Sequence, residues 1–216
     1  MRLTRVSHWS LLIAHCTITP CVIAQHTIPF ASTGNAIELT IANSSSAPVS
    51  DVRIALINAP SWLVFASTEQ ILMQLNACEG LPALFSFSVE KAAPVNREHR
   101  LQFQISTSDG QNWTKEIAIV IAAPETFELF QNYPNPFNPT TTIAYQLPVP
   151  SRVTLRVFNL LGQEVATLVD GEQPVGFHQE VFEARGLASG VYVYQLVGKE
   201  ASGRQFIARK AMTVLK

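Results

Sequence analysis

Side chains suited to acid–base or metal chemistry are few in this chain and widely separated. Past residue 24 the histidines lie in three different segments without metal-ligand spacing, at His26, His99 and His178. The aspartates fall at predicted turns or strand ends, at Asp51, Asp109 and Asp170. The chain has no Gly-Xaa-Ser-Xaa-Gly elbow and no glycine-rich phosphate loop. We therefore expect a protein that is not an enzyme, with no catalytic residue, no metal and no cofactor.

The first 24 residues have the pattern of a secretory signal peptide. Arg2 and Arg5 form a short basic region, and residues 9–23 are mostly apolar. Small or neutral residues precede a cleavage site between Ala24 and Gln25. Polar residues interrupt the apolar run, which argues against a membrane-spanning helix. The prediction is export from the cytoplasm, to the cell surface or the medium.

The cysteine count agrees with a domain held together by its core. Cys16 and Cys21 would leave with the signal peptide, so Cys78 would be alone and without a disulfide partner. We expect Cys78 to be a small core or loop residue. A lipoprotein anchor at Cys16 or Cys21 is a weaker alternative, because His15 and Pro20 stand where such an anchor has a small residue.

The charge balance excludes one class of partner. The formal net charge is −1, and charged residues make up only 14% of the chain. There is no basic cluster of the kind that neutralises phosphates, so we expect no binding to nucleic acid.

Between residues 25 and 123 the sequence predicts short strands separated by turns. Apolar and polar residues alternate in each run, and turn-forming clusters at 43–48 and 108–110 break the pattern. The predicted strands are 36–41, 52–57, 62–65, 71–75, 84–89, 101–105 and 113–121. About seven strands in about 100 residues are typical of an immunoglobulin-like β-sandwich.

This segment loosely resembles secreted bacterial β-sandwich modules of the NEW3 or CARDB kind. The resemblance rests on an asparagine-rich turn at Asn43, a Pro60-Ser61-Trp62 step and a late closing strand. Two interpretations of Trp62 and Trp113 remain open. They are core residues, which is the commoner case, or exposed platforms for stacking on sugar rings. The second interpretation makes glycans a partner.

A proline-rich stretch separates this segment from the next. Three prolines within six residues fix φ and remove three backbone donors, and each restrains the residue before it. We expect a stiff, extended, non-helical corner with Tyr133 and Phe137 as aromatic anchors. A linker leading into a strand is the alternative.

Residues 124–216 predict a second small sandwich of about seven strands. Alternating runs occur at 127–130, 141–147, 153–157, 164–169, 177–182, 191–197 and 206–215. Gly162 follows Leu160 and Leu161 where a hairpin turn needs a positive φ. The predicted fold is therefore all-β, with two tandem immunoglobulin-like β-sandwiches, 25–123 and 124–216, after the signal peptide of residues 1–24.

Four motifs of the second segment, in this order, resemble the C-terminal sorting domain (type A) of the type IX, or Por, secretion system. They are Tyr133-Pro134-Asn135-Pro136-Phe137-Asn138-Pro139-Thr140, Leu160-Leu161-Gly162, Ser189-Gly190-Val191-Tyr192 with Tyr194, and a final stretch with Lys210 and Lys216. In one departure, Val181-Phe182-Glu183 stands where the family often has a Trp-Asp pair, and Phe182 keeps an aromatic there.

The resemblance implies that this domain is an export signal rather than a catalytic domain. Proteins of this family fold in the periplasm and are recognised by the outer-membrane translocon through this immunoglobulin-like domain. A sortase-like protease commonly removes the domain, and the cargo is often joined to lipopolysaccharide. The first sandwich would then be a non-catalytic passenger. The alternatives are a carbohydrate-binding or adhesive surface module, and the C-terminal remnant of a larger exoenzyme.

A final strand at the edge of a sheet offers unpaired backbone groups that a partner could extend. Val214 and Leu215 would supply its apolar side, and Lys210 and Lys216 its charges. Strand addition here is one hypothesis for recognition; the alternative is an ordinary edge with gatekeeper lysines.

Overall fold

The protein forms two compact units in a computed structural model, one ending at Ala122 and the other running from Ala123 to Lys216. The structure describes the backbone of residues 4–13 and all of residues 26–216. Every regular element in this described part is a β-strand, which confirms the predicted all-β class. None of its elements is a helix long and apolar enough to cross a membrane.

The first unit packs a four-stranded sheet, in the order β1-β3-β7-β5, with a five-stranded sheet, in the order β2-β9-β8-β4-β6. Alternate residues of the strands point inward because side chains of a strand alternate between its two faces. The largest fully buried side chains in this core include Phe85 and Phe103, whose ring centroids are 5.0 Å apart. The strands are β1 (Thr4–Ile13), β2 (His26–Ile28), β3 (Asn35–Asn43), β4 (Val49–Leu56), β5 (Leu63–Phe65), β6 (Glu69–Leu75), β7 (Gly80–Val89), β8 (Glu98–Ser106) and β9 (Asn112–Ile121).

Part of the predicted signal peptide lies in this unit. Residues 4–13 form β1, which runs parallel to β3 at the edge of the four-stranded sheet. The predicted cleavage site between Ala24 and Gln25 lies outside the described residues, so the signal peptide stays a prediction.

The second unit packs a three-stranded sheet, in the order β10-β11-β14, against a four-stranded sheet, in the order β13-β12-β15-β16. Its core includes Tyr145 and Tyr194, both fully buried. The strands are β10 (Glu128–Leu129), β11 (Thr140–Leu147), β12 (Ser151–Phe158), β13 (Glu164–Gln173), β14 (Gly176–Glu183), β15 (Gly190–Glu200) and β16 (Gln205–Val214).

The strand register of the second unit sorts its loops into two ends. At one end the pairs Phe158↔Glu164 and Phe158↔Val193 join β12 to β13 and β15, and Gly190↔Val214 joins β15 to β16. The pair Thr140↔Glu183 lies at the corresponding end of the other sheet. Near its own N-terminus, at the opposite end, the unit packs the ring of Phe127 on that of Phe206, with centroids 3.6 Å apart.

Candidate functional site

Parts of four sequence motifs that are distant along the chain lie at one end of the second unit. We call this region the motif end. It consists of the proline corner (residues 132–139), the turn of residues 159–163, the loop of residues 184–189 and the chain end at residues 215–216. Backbone hydrogen bonds join the corner to two of the other parts, from Ala184 N to the carbonyl of Pro139 and from Leu215 N to the carbonyl of Phe137.

The proline corner is the loop of a hairpin between β10 and β11. Tyr133 and Thr142 exchange both backbone hydrogen bonds just before the loop begins. The loop is non-helical, as predicted, and its three X-Pro peptide bonds are cis. Prolines suit this loop because they fix φ and donate no backbone hydrogen bond.

Buried polar side chains hold the corner closed. Asn132 donates through Nδ2 to Thr141 Oγ1 at 2.9 Å and to the carbonyl of Pro134 at 3.1 Å. Thr141 donates its hydroxyl to the same carbonyl at 2.8 Å. Both side chains are about 2% exposed, so these bonds satisfy groups that water does not reach.

Tyr194 fastens this network to the opposite sheet. Its hydroxyl accepts a hydrogen bond from Asn132 N at 2.9 Å and donates one to the carbonyl of Phe130 at 2.8 Å. Burial raises the pKa of Tyr194 to about 12, against the opposing effect of the hydrogen bond from Asn132. The motif tyrosine is therefore a neutral side chain that holds the corner against β15.

The corner also covers the outer edge of β16 near its end. Phe137 N donates to the carbonyl of Thr213 at 3.0 Å, and Thr213 N donates to Asn135 Oδ1 at 2.9 Å. Gln131 Nε2 donates to the carbonyl of Ala211 at 2.8 Å. These contacts occupy backbone groups of Ala211 and Thr213 that an added strand would need at this end of β16.

The strand-addition hypothesis is therefore wrong for the end of β16. Val214 is 2% exposed and belongs to the core, so it cannot supply an apolar docking face, while Leu215 is half-exposed. Lys216 is exposed and Lys210 is half-buried, in keeping with edge charges.

The prediction that two aromatic rings anchor the corner is confirmed for Phe137 and wrong for Tyr133. Phe137 is 2% exposed and packs edge-on against Phe182, with centroids 6.0 Å apart. Tyr133, in contrast, is 82% exposed. The packing role expected for Phe182 is confirmed, and the corner presents a tyrosine ring to solvent.

The turn of residues 159–163 displays two leucines. Leu160 is 74% exposed and Leu161 is 84% exposed. Gly162 has φ +78°, the positive value expected from the sequence. Asn159 Oδ1 accepts hydrogen bonds from Leu161 N and Gln163 N, each at 3.0 Å. Two backbone bonds, Asn159 N to the carbonyl of Gln163 and Gly162 N to the carbonyl of Asn159, close the turn.

The Ser189-Gly190-Val191-Tyr192 motif lies where β15 begins. Ser189, Gly190 and Val191 are exposed, and Tyr192 is buried. The hydroxyl of Tyr192 donates to the carbonyl of Ala188 at 3.0 Å, which ties the preceding loop to the strand. This motif therefore combines a core residue with a short exposed stretch.

The titratable side chains singled out by the sequence do not form a cluster. No group of three or more His, Cys, Asp and Glu side chains with a geometry for a metal ion occurs within the described residues. His178 stacks on Tyr145 at 5.0 Å and hydrogen-bonds the carbonyl of Pro174 through Nε2 at 2.8 Å. His99 lies edge-on to Trp62, at 4.7 Å.

Trp62 and Trp113 are both half-buried and pack against the core of the first unit. This packing favours the core interpretation, and stacking on sugar rings stays a prediction. Cys78 is exposed in a turn, with φ +57°, so its loop interpretation is confirmed and its core interpretation is wrong.

The family of secretion system C-terminal sorting domains (Por_Secre_tail) matches residues 131–209. This match spans the proline corner, the leucine turn and the start of β15. The second unit contains a C-terminal sorting domain of the Por secretion system. A protein with this domain is secreted or displayed at the cell surface, and its partner is the type IX secretion machinery.

Solved structures give weaker similarity to the chain. PorU from Porphyromonas gingivalis, in its dimeric latent form, shares 15% identity with a TM-score of 0.35, over 76% of this chain and 16% of that one. The CupB2 chaperone of Pseudomonas aeruginosa shares 10% identity with a TM-score of 0.29, over 86% of this chain and 96% of its own. The calcium-binding domain CBD12 of CALX1.1 shares 8% identity with a TM-score of 0.37, over 82% of this chain and 78% of its own. Scores this low do not establish a shared fold. No curated protein matches the chain.

Proposed function

We propose that the sorting domain carries the first sandwich through the outer membrane by the type IX route, and that this sandwich is a non-catalytic binding or spacer module. The observation that carries the proposal is the gathering of the sorting-domain motifs at the motif end. A translocon that recognises the folded domain needs such a surface, because residues distant in sequence form one binding surface only after folding.

The preceding sandwich fits the role of a passenger. Its described residues have a continuous apolar core and two half-buried tryptophans. A sortase-like protease of the machinery would separate passenger and sorting domain near residues 123–127, where the units divide. Attachment of the passenger to lipopolysaccharide would follow that cleavage.

The test removes residues 124–216 and measures where the remaining chain accumulates in a host with working type IX machinery. We expect the truncated protein in the periplasm and the full chain at the surface or in the medium. If the truncated protein reaches the surface as the full chain does, residues 124–216 are not the export signal. Mass spectrometry of the extracellular form tests the processing step, because cleavage predicts a chain that ends before the sorting domain.

A further inference from the structure

We propose that Leu160 and Leu161 are the docking element of the sorting domain and that they enter an apolar pocket in a protein of the outer-membrane export machinery. The proposal rests on the proposed function and names the residues that the machinery contacts.

Exposure of the two leucines is the first observation. They are adjacent, 74% and 84% exposed, and form the tip of a tight turn. The core of the unit is complete without them, because neither belongs to the cluster of buried residues or to the side chains packed on it. Contiguous exposed apolar side chains, unlike single scattered ones, mark interaction sites on soluble domains.

Preorganisation is the second observation. Asn159 holds the turn from inside with its side-chain oxygen, and its Nδ2 donates to Gln163 Oε1 at 2.8 Å. The backbone that carries the leucines is therefore ordered before any partner arrives, which lowers the entropic cost of binding. A fixed geometry of two side chains is what a shaped pocket requires, whereas a lipid surface accepts apolar side chains in any arrangement.

Charge is the third observation. Residues 159–163 contain no charged side chain. Flanking this tip, Arg156 and Glu164 form an ion pair with an Nη1–Oε2 distance of 3.6 Å. An apolar tip with paired charges beside it resembles the apolar centre and polar rim of a protein interface. The tip has no cation for anionic headgroups, so we choose a protein pocket over a membrane surface.

The test compares two variants of the full chain in a type IX host. The test variant is Leu160→Ser with Leu161→Ser, and the matched control is Val181→Ser, which changes an apolar residue of the same domain that is 67% exposed. We expect the leucine variant to accumulate in the periplasm, with a decrease in extracellular protein of about tenfold or more, as for loss of a central interface residue. The control should be exported normally.

Thermal unfolding of both purified variants checks that the domain still folds. A second variant, Leu160→Ala with Leu161→Ala, removes both apolar side chains without adding a polar group and should also reduce export; it serves as the deciding variant if the serine form unfolds. Normal export of the folded alanine variant would contradict docking through the leucines.

Three further results would overturn the proposal. In the first, the folded serine variant is exported as well as the control, while the protein that lacks residues 124–216 stays in the periplasm. The sorting domain is then still the export signal, but the leucines are not its docking element. In the second, the truncation itself is exported, and the proposed function fails. In the third, the wild-type protein floats with vesicles of phosphatidylethanolamine and phosphatidylglycerol and the serine variant does not, which makes the target a lipid.

Discussion

Each unit contains a turn held from inside by one asparagine side chain, and the two turns differ in what they show to solvent. In the first unit Asn43 donates to the carbonyls of Ala47, Leu75 and Asn76, and accepts from Ser45. In the second unit the side chain of Asn159 bonds Leu161 and Gln163 of its own turn. The first turn displays serines at 44–46 and the second displays two leucines.

The difference separates a structural feature from a functional one. Asparagine caps turns because its short amide reaches neighbouring backbone groups, and this chemistry serves any fold. Apolar side chains at the tip have no such structural use. The leucines are therefore the part of the turn that requires an explanation by binding, and the asparagine is the part that positions them.

The largest effect on stability is expected for Asn43→Ala. Asn43 is 1% exposed, and its loss leaves the buried carbonyl of Leu75 without this donor, so the first unit should lose about 3 kcal/mol. Denaturant unfolding followed by tryptophan fluorescence measures this unit, because the second unit has no tryptophan. Ser46→Ala, in the exposed part of the same loop, is the control and should unfold like the wild type.

The two buried tyrosines of the sorting domain should respond in opposite ways. Tyr194→Phe removes the hydroxyl that bonds the Asn132 amide and the Phe130 carbonyl, and we expect a loss of about 2 kcal/mol. Tyr145→Phe removes a buried hydroxyl that has no hydrogen-bond partner among the described residues, so stability should stay equal or rise. Near-ultraviolet circular dichroism of the remaining tyrosines follows both. Equal losses would show that the corner network does not stabilise the domain.

A smaller effect is expected for Asn159→Ala. Its hydrogen bonds lie within an exposed turn, where water can replace them, so the sorting domain should lose about 1 kcal/mol or less. Export should fall more than stability does, because the leucines lose their fixed geometry. Normal export by this folded variant would mean that turn order is not needed for docking.

The smallest effect is a pH dependence confined to the first unit. Burial, with a contribution from the charge of Arg97, lowers the pKa of His99 below its usual value of 6.5. The unfolded chain then binds more protons than the folded chain below that pH. The free energy of unfolding should therefore fall as pH decreases through 6.5 and level off below the folded pKa. His99→Gln should flatten this dependence, and an unchanged profile would assign it to other groups.

Much of this fold follows from the sequence, because strands that bury one face carry an alternating pattern. All fourteen runs predicted past residue 25 overlap an observed strand. The errors lie where the pattern fades. The run predicted at 164–169 is too short, since β13 continues to Gln173 and several of its residues are only half-buried. The three-residue β2 is too short to show any alternation.

The site was less predictable than the fold. Spacing identified the turn glycine at Gly162, yet nothing local distinguished the buried Phe137 from the exposed Tyr133 of the same corner. The burial of Phe137 depends on contacts with Thr213 and Phe182, which lie far along the chain. The cover over the end of β16 was missed for the same reason, because it depends on Asn135 reaching Thr213.

The most direct test transfers the sorting domain, residues 124–216, to another protein. A reporter that folds in the periplasm is fused between a signal peptide and residues 124–216, and its position is measured by protease access in intact cells with working type IX machinery. The account predicts a surface-exposed or released reporter, and a periplasmic one when the domain is omitted. A reporter that stays in the periplasm although residues 124–216 are folded would contradict the account.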